Sequence, residues 1–223
     1  MPQHYDIVCL ANSFKHGGRC IAGKVHSGEY AGRWIRPVGR TEGQRQIQLS
    51  EMEYARGQYA AVRDILRIEF TSREPNTFQS ENLIISGTRW SKVGEVSLDA
   101  IADLLDTPAG LWTNYSRSHY SLNDKIEREL LVGPRESLFL ISPQNVRVRV
   151  GPEHNGDVKV RVLFQYNRVE YALTTTDVQI QNDYRGQPHA TYPLPNSRGL
   201  TISLGERLPA LIGDSYKLVA HVF

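Results

Sequence analysis

Cysteine, methionine and tryptophan are scarce in this chain of 223 residues, with 2, 2 and 3 copies, and the 26 Lys plus Arg nearly cancel the 24 Asp plus Glu. Each shortage excludes something. With the first hairpin turning at His16 and Gly17, the register sets Ser13, not Cys9, opposite Cys20. The expected state is therefore two reduced, mostly buried thiols. No Cys or His spacing resembles a zinc site, and the 7 histidines are scattered, so no metal and no cofactor is indicated. A formal charge of +2 makes no general case for a nucleic-acid partner. Any such case must rest on where the charges sit.

Long apolar runs are missing too. Tyr5 to Ala11 is too short for a signal peptide and lacks a basic leader, and nothing is long enough to span a bilayer. The expectation is a cytoplasmic protein with no membrane partner. Catalytic signatures are equally thin. The glycines near Lys15 lack Walker spacing, and no Ser-His-Asp or Cys-His pair is marked by context. Asp6, Asp64 and Asp177 could meet only through tertiary structure, so no reaction is named and a non-enzyme is favoured.

What is present is β pattern. Asp6 to Val38 reads as three short strands, Ile7 to Ser13, Arg19 to His26 and Arg33 to Val38, separated by glycine turns. Ser50 to Glu53 has capping-box spacing, so a short helix is expected to about Arg56, ended by Gly57. Asp64 to Phe70 and, after the turn REPN, Asn82 to Trp90 complete five strands. Ser97 to Leu105 puts Leu98, Ile101, Leu104 and Leu105 on one helical face, and Asn123 to Val132, stopped by Gly133 and Pro134, suits a second helix. Then come strands at Ser137 to Val150 (interrupted at Pro143), Val158 to Gln165, Val169 to Thr175, Leu200 to Leu204 and Lys217 to Phe223. A long loop, Thr176 to Gly199, carries Tyr184, Arg185, His189, Tyr192 and Arg198. The expected fold is mainly β: two OB-like five-stranded barrels joined by a short helical connector, at 1–95, 96–135 and 136–223.

The strongest sign of an anionic partner is the hairpin VRVRV-GPEHNGD-VKVRVLF. With its turn centred near His154, Val148 faces Val160 and Val146 faces Val162, which sets Arg149 opposite Lys159 and Arg147 opposite Arg161 on the outer face. Like charges across a ladder cost roughly 0.2 to 1 kcal/mol per pair, a cost that phosphates would remove. The plainer reading is a solvated outer face, partly offset by Glu153 and Asp157. Trp34 and Arg36 share a strand face and could stack on a base and track a backbone, or else pack in the barrel and snorkel to its rim. Lys15 and Arg19 flank a glycine turn able to approach phosphate, or form an ordinary hairpin turn.

DIVCLANSFKHGGRCIAG, GRWIRPV, FQSENLIISGTRW, YALTTTD and the ending LTISLGERLPALIGDSYKLVAHVF together resemble the bacterial dual-OB domain family, small proteins found among defence and conflict modules. Where that family tends to carry TDP, this chain has Thr176-Asp177-Val178. The resemblance implies two OB-like barrels and a nucleic-acid or nucleotide-binding role, but no activity. The expectation is a module for single-stranded or distorted nucleic acid, contacting it through Lys15, Arg19, Trp34, Arg36, Arg147, Arg149, Lys159 and Arg161. It would serve as an accessory in bacterial defence, with a partner protein supplying any chemistry. The alternatives are a small-nucleotide sensor or enzyme, closed by the KHGGR turn and the long loop, and a protein adaptor meeting an acidic partner.

Overall fold

The computed structural model describes residues 3–41, 45–74, 78–133, 135–153, 155–207 and 213–223. The turn residues Pro75 and Asn76, the hairpin centre at His154 and the stop at Pro134 lie outside them. The protein is mainly β, 50% strand against 8% helix, and its contacts divide it into Met1–Leu104 and Leu105–Phe223.

In the N-terminal unit the opening stretch forms β1 (Gln3–Lys15), β2 (Gly18–Val25) and β3 (Trp34–Val38). Ser13 lies opposite Cys20, as the turn predicts, and burial pushes the Cys9 thiol up to about 12. At Gly23 the strands come so close that a Cβ would sit 2.2 Å from the Val8 carbonyl oxygen. β6 (Asp64–Arg73) folds back antiparallel on β1, and β7 (Asn82–Ile85) joins β6 to β3, running parallel to β3. The ring β1-β2-β3-β7-β6 is a closed five-stranded barrel, and β8 (Ser91–Glu95) adds a sixth strand to β6. Ile7, Ile21, Leu66, Ile68 and Trp90 fill it. Each such aliphatic side chain contributes roughly 1.5–3 kcal/mol on burial.

The helix expected at Ser50 to Arg56 is absent. The segment instead pairs β4 (Glu53–Ala55) with β5 (Gln58–Tyr59) around Gly57, at φ +70°. Glu53, the carboxylate that would box a helix start, closes a turn instead, as does its neighbour Glu51. Glu51 accepts from the Gln48 amide (2.9 Å) and Glu53 from the Gly57 amide (2.7 Å). Ser97 to Leu105 shrinks to a 3-10 helix at Asp99–Leu104 in which only Ile101 is buried, leaving Leu98 39% exposed.

In the C-terminal unit the second expected helix is replaced by β9 (Lys125–Ile126), paired with the chain's last strand at Ser215 and Tyr216, and a 3-10 turn at Arg128–Leu130. The expected helical connector is thus extended and 3-10, and from Leu105 onward it belongs to this unit. β10 (Leu138–Ile141) and β11 (Gln144–Pro152) break at Pro143; β12 (Val158–Tyr166) and β13 (Val169–Thr174) follow. The segment 176–199 is no open loop: it holds α1 (Val178–Tyr184) and β14 (Ala190–Pro193). Asp177 explains the helix. Its carboxylate caps the Gln179 (2.7 Å) and Ile180 (3.1 Å) amides, a favoured N-cap arrangement. Ile180 then packs on Val148 and Val160, with Tyr184 beside them. β15 (Leu200–Leu204) and β16 (Ser215–Val222) end the chain. The sheets are β13-β12-β11-β14 and β10-β15-β16-β9, bridged in parallel at Thr175 and Val219.

Candidate nucleic-acid interface

Period-two alternation puts Val146, Val148 and Val150 inside and Arg147 and Arg149 outside, and the structure keeps that division while moving the pairing. Arg149 faces Arg161, Gly151 faces Lys159 and Arg147 faces Leu163, two residues from the expected register. The turn sets the offset. Glu153 N donates to Asp157 O (2.6 Å) and Gly156 N to Glu153 O (3.0 Å), which centres the hairpin one residue later than expected.

The four cations do four different things. Arg161 is only 2% exposed; its Nη2 pairs with Glu153 and its Nε donates to Ser121 Oγ at 2.9 Å. Burial, reinforced by the charge of Arg149, lowers its guanidinium pKa. Lys159 is exposed and shares Glu153 at 3.5 Å. Arg149 is half-buried and donates to the Tyr120 carbonyl. Arg147 is exposed, with no ion-pair partner among the described residues. Glu153 therefore compensates much of the charge at the turn end, while Arg147 and part of Arg149 still face outward.

Arg149 and Arg161 both clasp the end of a stretch that sequence spacing does not single out, Tyr115-Ser116-Arg117-Ser118-His119-Tyr120-Ser121, Arg149 at Tyr120 and Arg161 at Ser121. Its alternation of aromatic and basic residues was the available signal. Asn123 and Asp124 shape it. Asn123 Oδ1 accepts from the Tyr115 amide (2.7 Å) while its Nδ2 donates to Glu170 O (2.9 Å). Asp124 accepts from the Ser118 amide (2.8 Å) and hydroxyl (2.5 Å). Leu122 bridges to Ala172 on β13. Tyr120, 52% exposed, with the His119 ring 4.2 Å away, thus stands over the sheet. Between it and the Pro193 to Ser197 wall runs a groove of about 710 Å³, floored by Arg147, Arg149, Leu163 and Gln165. An aromatic face, guanidinium donors and an apolar floor suit a flat ring joined to an anion.

The remaining expected contacts lie elsewhere. Trp34 and Arg36 are buried in the first barrel, 8% and 3% exposed. Arg36 binds Asn82 Oδ1 (3.0 Å) and Glu81 (3.4 Å), while Lys24 Nζ sits 5.3 Å from the Trp34 ring centre. Lys15 and Arg19 meet at the first turn, where the Arg19 guanidinium lies 4.6 Å from the Phe14 ring centre beside a cleft of about 540 Å³. The aromatic residues of 176–199 pack on each other, Tyr184 and Tyr192 being 5.4 Å apart.

The acidic residues each have their own partner. Asp6 pairs with Arg67 (2.8 Å), whose hydrogen bond holds that carboxyl below its usual range, and Asp64 pairs with Lys92 (2.5 Å). Asp177 binds His221 Nδ1 (2.7 Å) and the Val222 amide (2.9 Å). Burial opposes its charge, but these bonds outweigh it and hold the carboxyl low. A second residue beyond sequence reach is Lys217, 0% exposed, with Nζ donating to Thr113 O (2.6 Å) and Asn114 Oδ1 (3.1 Å) and lying 5.4 Å from the Tyr171 ring centre. Burial brings its pKa down to about 7. Among the described residues no cluster of three His, Cys, Asp or Glu side chains could hold a metal, and no helix is long and apolar enough to cross a membrane.

No curated protein and no solved structure matches the chain. A family model does, that of the dual OB-containing domain, over residues 5–222. That match spans both units, and the closed barrel of the first has the strand order of such a domain, so the chain belongs to the dual OB-containing domain family.

Proposed function

We propose that the C-terminal unit is a second OB-like barrel whose outer sheet face binds single-stranded nucleic acid. The barrel reading rests on connectivity: a meander β11-β12-β13, the helix α1, then β15 and β16, with β10 paired to β15 and a parallel bridge from the end of β13 to β16. That order of connections parallels the β1-β2-β3-β7-β6 order of the N-terminal unit, which supports the reading. OB barrels commonly take oligonucleotides across the outer face of the second and third strands, and here those strands are β12 and β13.

The observation that carries the reading is Tyr120 held over Arg147 and Arg149 in one groove. A stacked base contributes roughly 1–3 kcal/mol and is tolerant of sequence. Arg147 and Lys159 supply backbone contacts, Arg149 supplies one while fixing Tyr120, and Arg161 positions Ser121. Trp34 and Arg36 lie in the first barrel, outside this groove, with Arg36 held by Asn82 and Glu81; Lys15 and Arg19 stay as a separate contact point. An accessory role in bacterial defence, implied by the family resemblance, extends the reading. It predicts that Arg147→Ala abolishes protection in a phage challenge.

The direct test is fluorescence anisotropy with labelled single strands and matched duplexes. Single strands bind more tightly, and Tyr120→Ala weakens them by about tenfold, the lower end of a stacking contribution. No binding by folded protein at low salt, or equal affinity for the duplex, overturns it.

A further inference from the structure

The N-terminal barrel carries a second pocket of different character. Tyr5, Tyr30, Trp34 and Phe70 line a cavity of about 220 Å³, with Arg33 and Arg73 among its polar residues. Tyr30 is 38% exposed and stands edge-on to Tyr5 at 6.1 Å and 81°, and Tyr5 in turn lies 6.1 Å from Phe70. The Arg33 guanidinium is 5.8 Å from the Tyr30 ring centre. Arg73 Nη1 donates to Ser80 O (2.9 Å), which steadies the segment leading to Glu81, itself paired with Arg36. Both Arg33 and Arg73 are exposed.

The volume selects the ligand class. It falls below the roughly 300–1,000 Å³ of pockets that enclose drug-sized molecules, so it admits one ring system, free or at the end of a strand. Aromatic walls favour a planar ring, and two exposed guanidiniums favour an anion, with forked donors that match phosphate oxygens. We infer that this pocket binds a single nucleobase carrying one phosphate, the base between Tyr5, Tyr30 and Trp34 and the phosphate on Arg33 and Arg73. That chemistry occurs in a free nucleoside monophosphate and in the phosphorylated end of a strand. Every residue of the site belongs to the N-terminal unit, so it stands independently of the groove on the other barrel.

The test titrates the full-length protein with the four nucleoside 5′-monophosphates and the matching nucleosides, reading tryptophan fluorescence with Trp34 as the reporter. At least one monophosphate quenches the signal and binds about tenfold more tightly than its nucleoside, the difference of one phosphate contact. The surface double variant Arg33→Ala/Arg73→Ala reduces it to the nucleoside level, Tyr30→Ala weakens both, and Arg147→Ala changes neither. Thermal melting of each variant confirms that it is folded. A tetranucleotide bearing a 5′-phosphate, compared with its 5′-hydroxyl form, separates the sources. Tighter binding of the phosphorylated strand than of the free nucleotide assigns a strand terminus, and the reverse assigns a free nucleotide. No binding at millimolar nucleotide, or binding indifferent to the arginine pair and Tyr30, overturns the assignment. Loss of strand binding in Arg147→Ala with nucleotide binding intact separates this site from the groove.

Discussion

Lys217 makes the C-terminal unit more stable as the solution turns alkaline. Its ammonium is fully enclosed, tied to Thr113 and Asn114 above the Tyr171 ring, and burial brings its pKa from 10.5 to about 7. The unfolded chain holds that proton up to about pH 10.5 and the folded chain only to about 7, so between these values the unfolded state binds more protons and stability rises with pH. Below pH 7 both states are protonated and the cost of burying the charge is fully present. Each pH unit is worth up to about 1.4 kcal/mol, so the gain from pH 7 to 8.5 is on the order of 1–2 kcal/mol. The interval is chosen because the other perturbed groups titrate outside it. Cys9 has an ordinary value of 9.0, and Tyr166, Tyr171 and Tyr216, all raised by burial, start from 10.0. Urea unfolding read through Trp112, in a Trp34→Phe/Trp90→Phe background, confines the signal to this unit. Lys217→Met flattens the profile. Equal slopes for the parent and Lys217→Met between pH 7 and 8.5 refute the reasoning.

Substitutions at three further positions probe the architecture. Arg161→Ala leaves Ser121 without its guanidinium donor and Glu153 with only the exposed Lys159, at a cost of up to about 3–5 kcal/mol as for other broken buried pairs, while Arg161→Met with Glu153→Gln recovers part of it; chemical denaturation gives both numbers. Gly23→Ala drives a methyl to 2.2 Å from the Val8 carbonyl oxygen and lowers the stability of the first barrel by about 1–3 kcal/mol or more. Gly57→Ala meets open space at φ +70° and costs about 1–2 kcal/mol, so thermal melting ranks Gly23 above it.

The strands were legible because alternation and glycine turns are local signals. Leu200 to Leu204 matches its observed bounds, and the Ser13–Cys20 register followed from one turn. The register of the basic hairpin differs by two residues from the expected one because its turn, 153–157, is fixed by backbone bonds from Glu153 to Gly156 and Asp157, which spacing does not reveal. Ser50 to Arg56 misled because capping-box residues also close tight turns. Asp177 is an N-cap signal before Ile180 and Tyr184, masked in the sequence by the prolines and glycines that follow it. Tyr120 carries only the local alternation of aromatic and basic residues as a signal, and Lys217 carries none. Their roles depend on Arg149 and Thr113, far away in the chain.

The central claim is that the groove on the C-terminal sheet holds a nucleic-acid strand by Arg147, Arg149 and Lys159 together with Tyr120. Its most direct test is the salt dependence of single-strand affinity for the parent and for Arg147→Ala, whose exposed side chain has no ion pair among the described residues to lose. Three phosphate contacts give a log–log slope of about −2, and Arg147→Ala reduces it by about 0.7, the share of one contact on a single strand. Parallel lines for the two proteins, or no measurable affinity at the lowest salt, contradict the account.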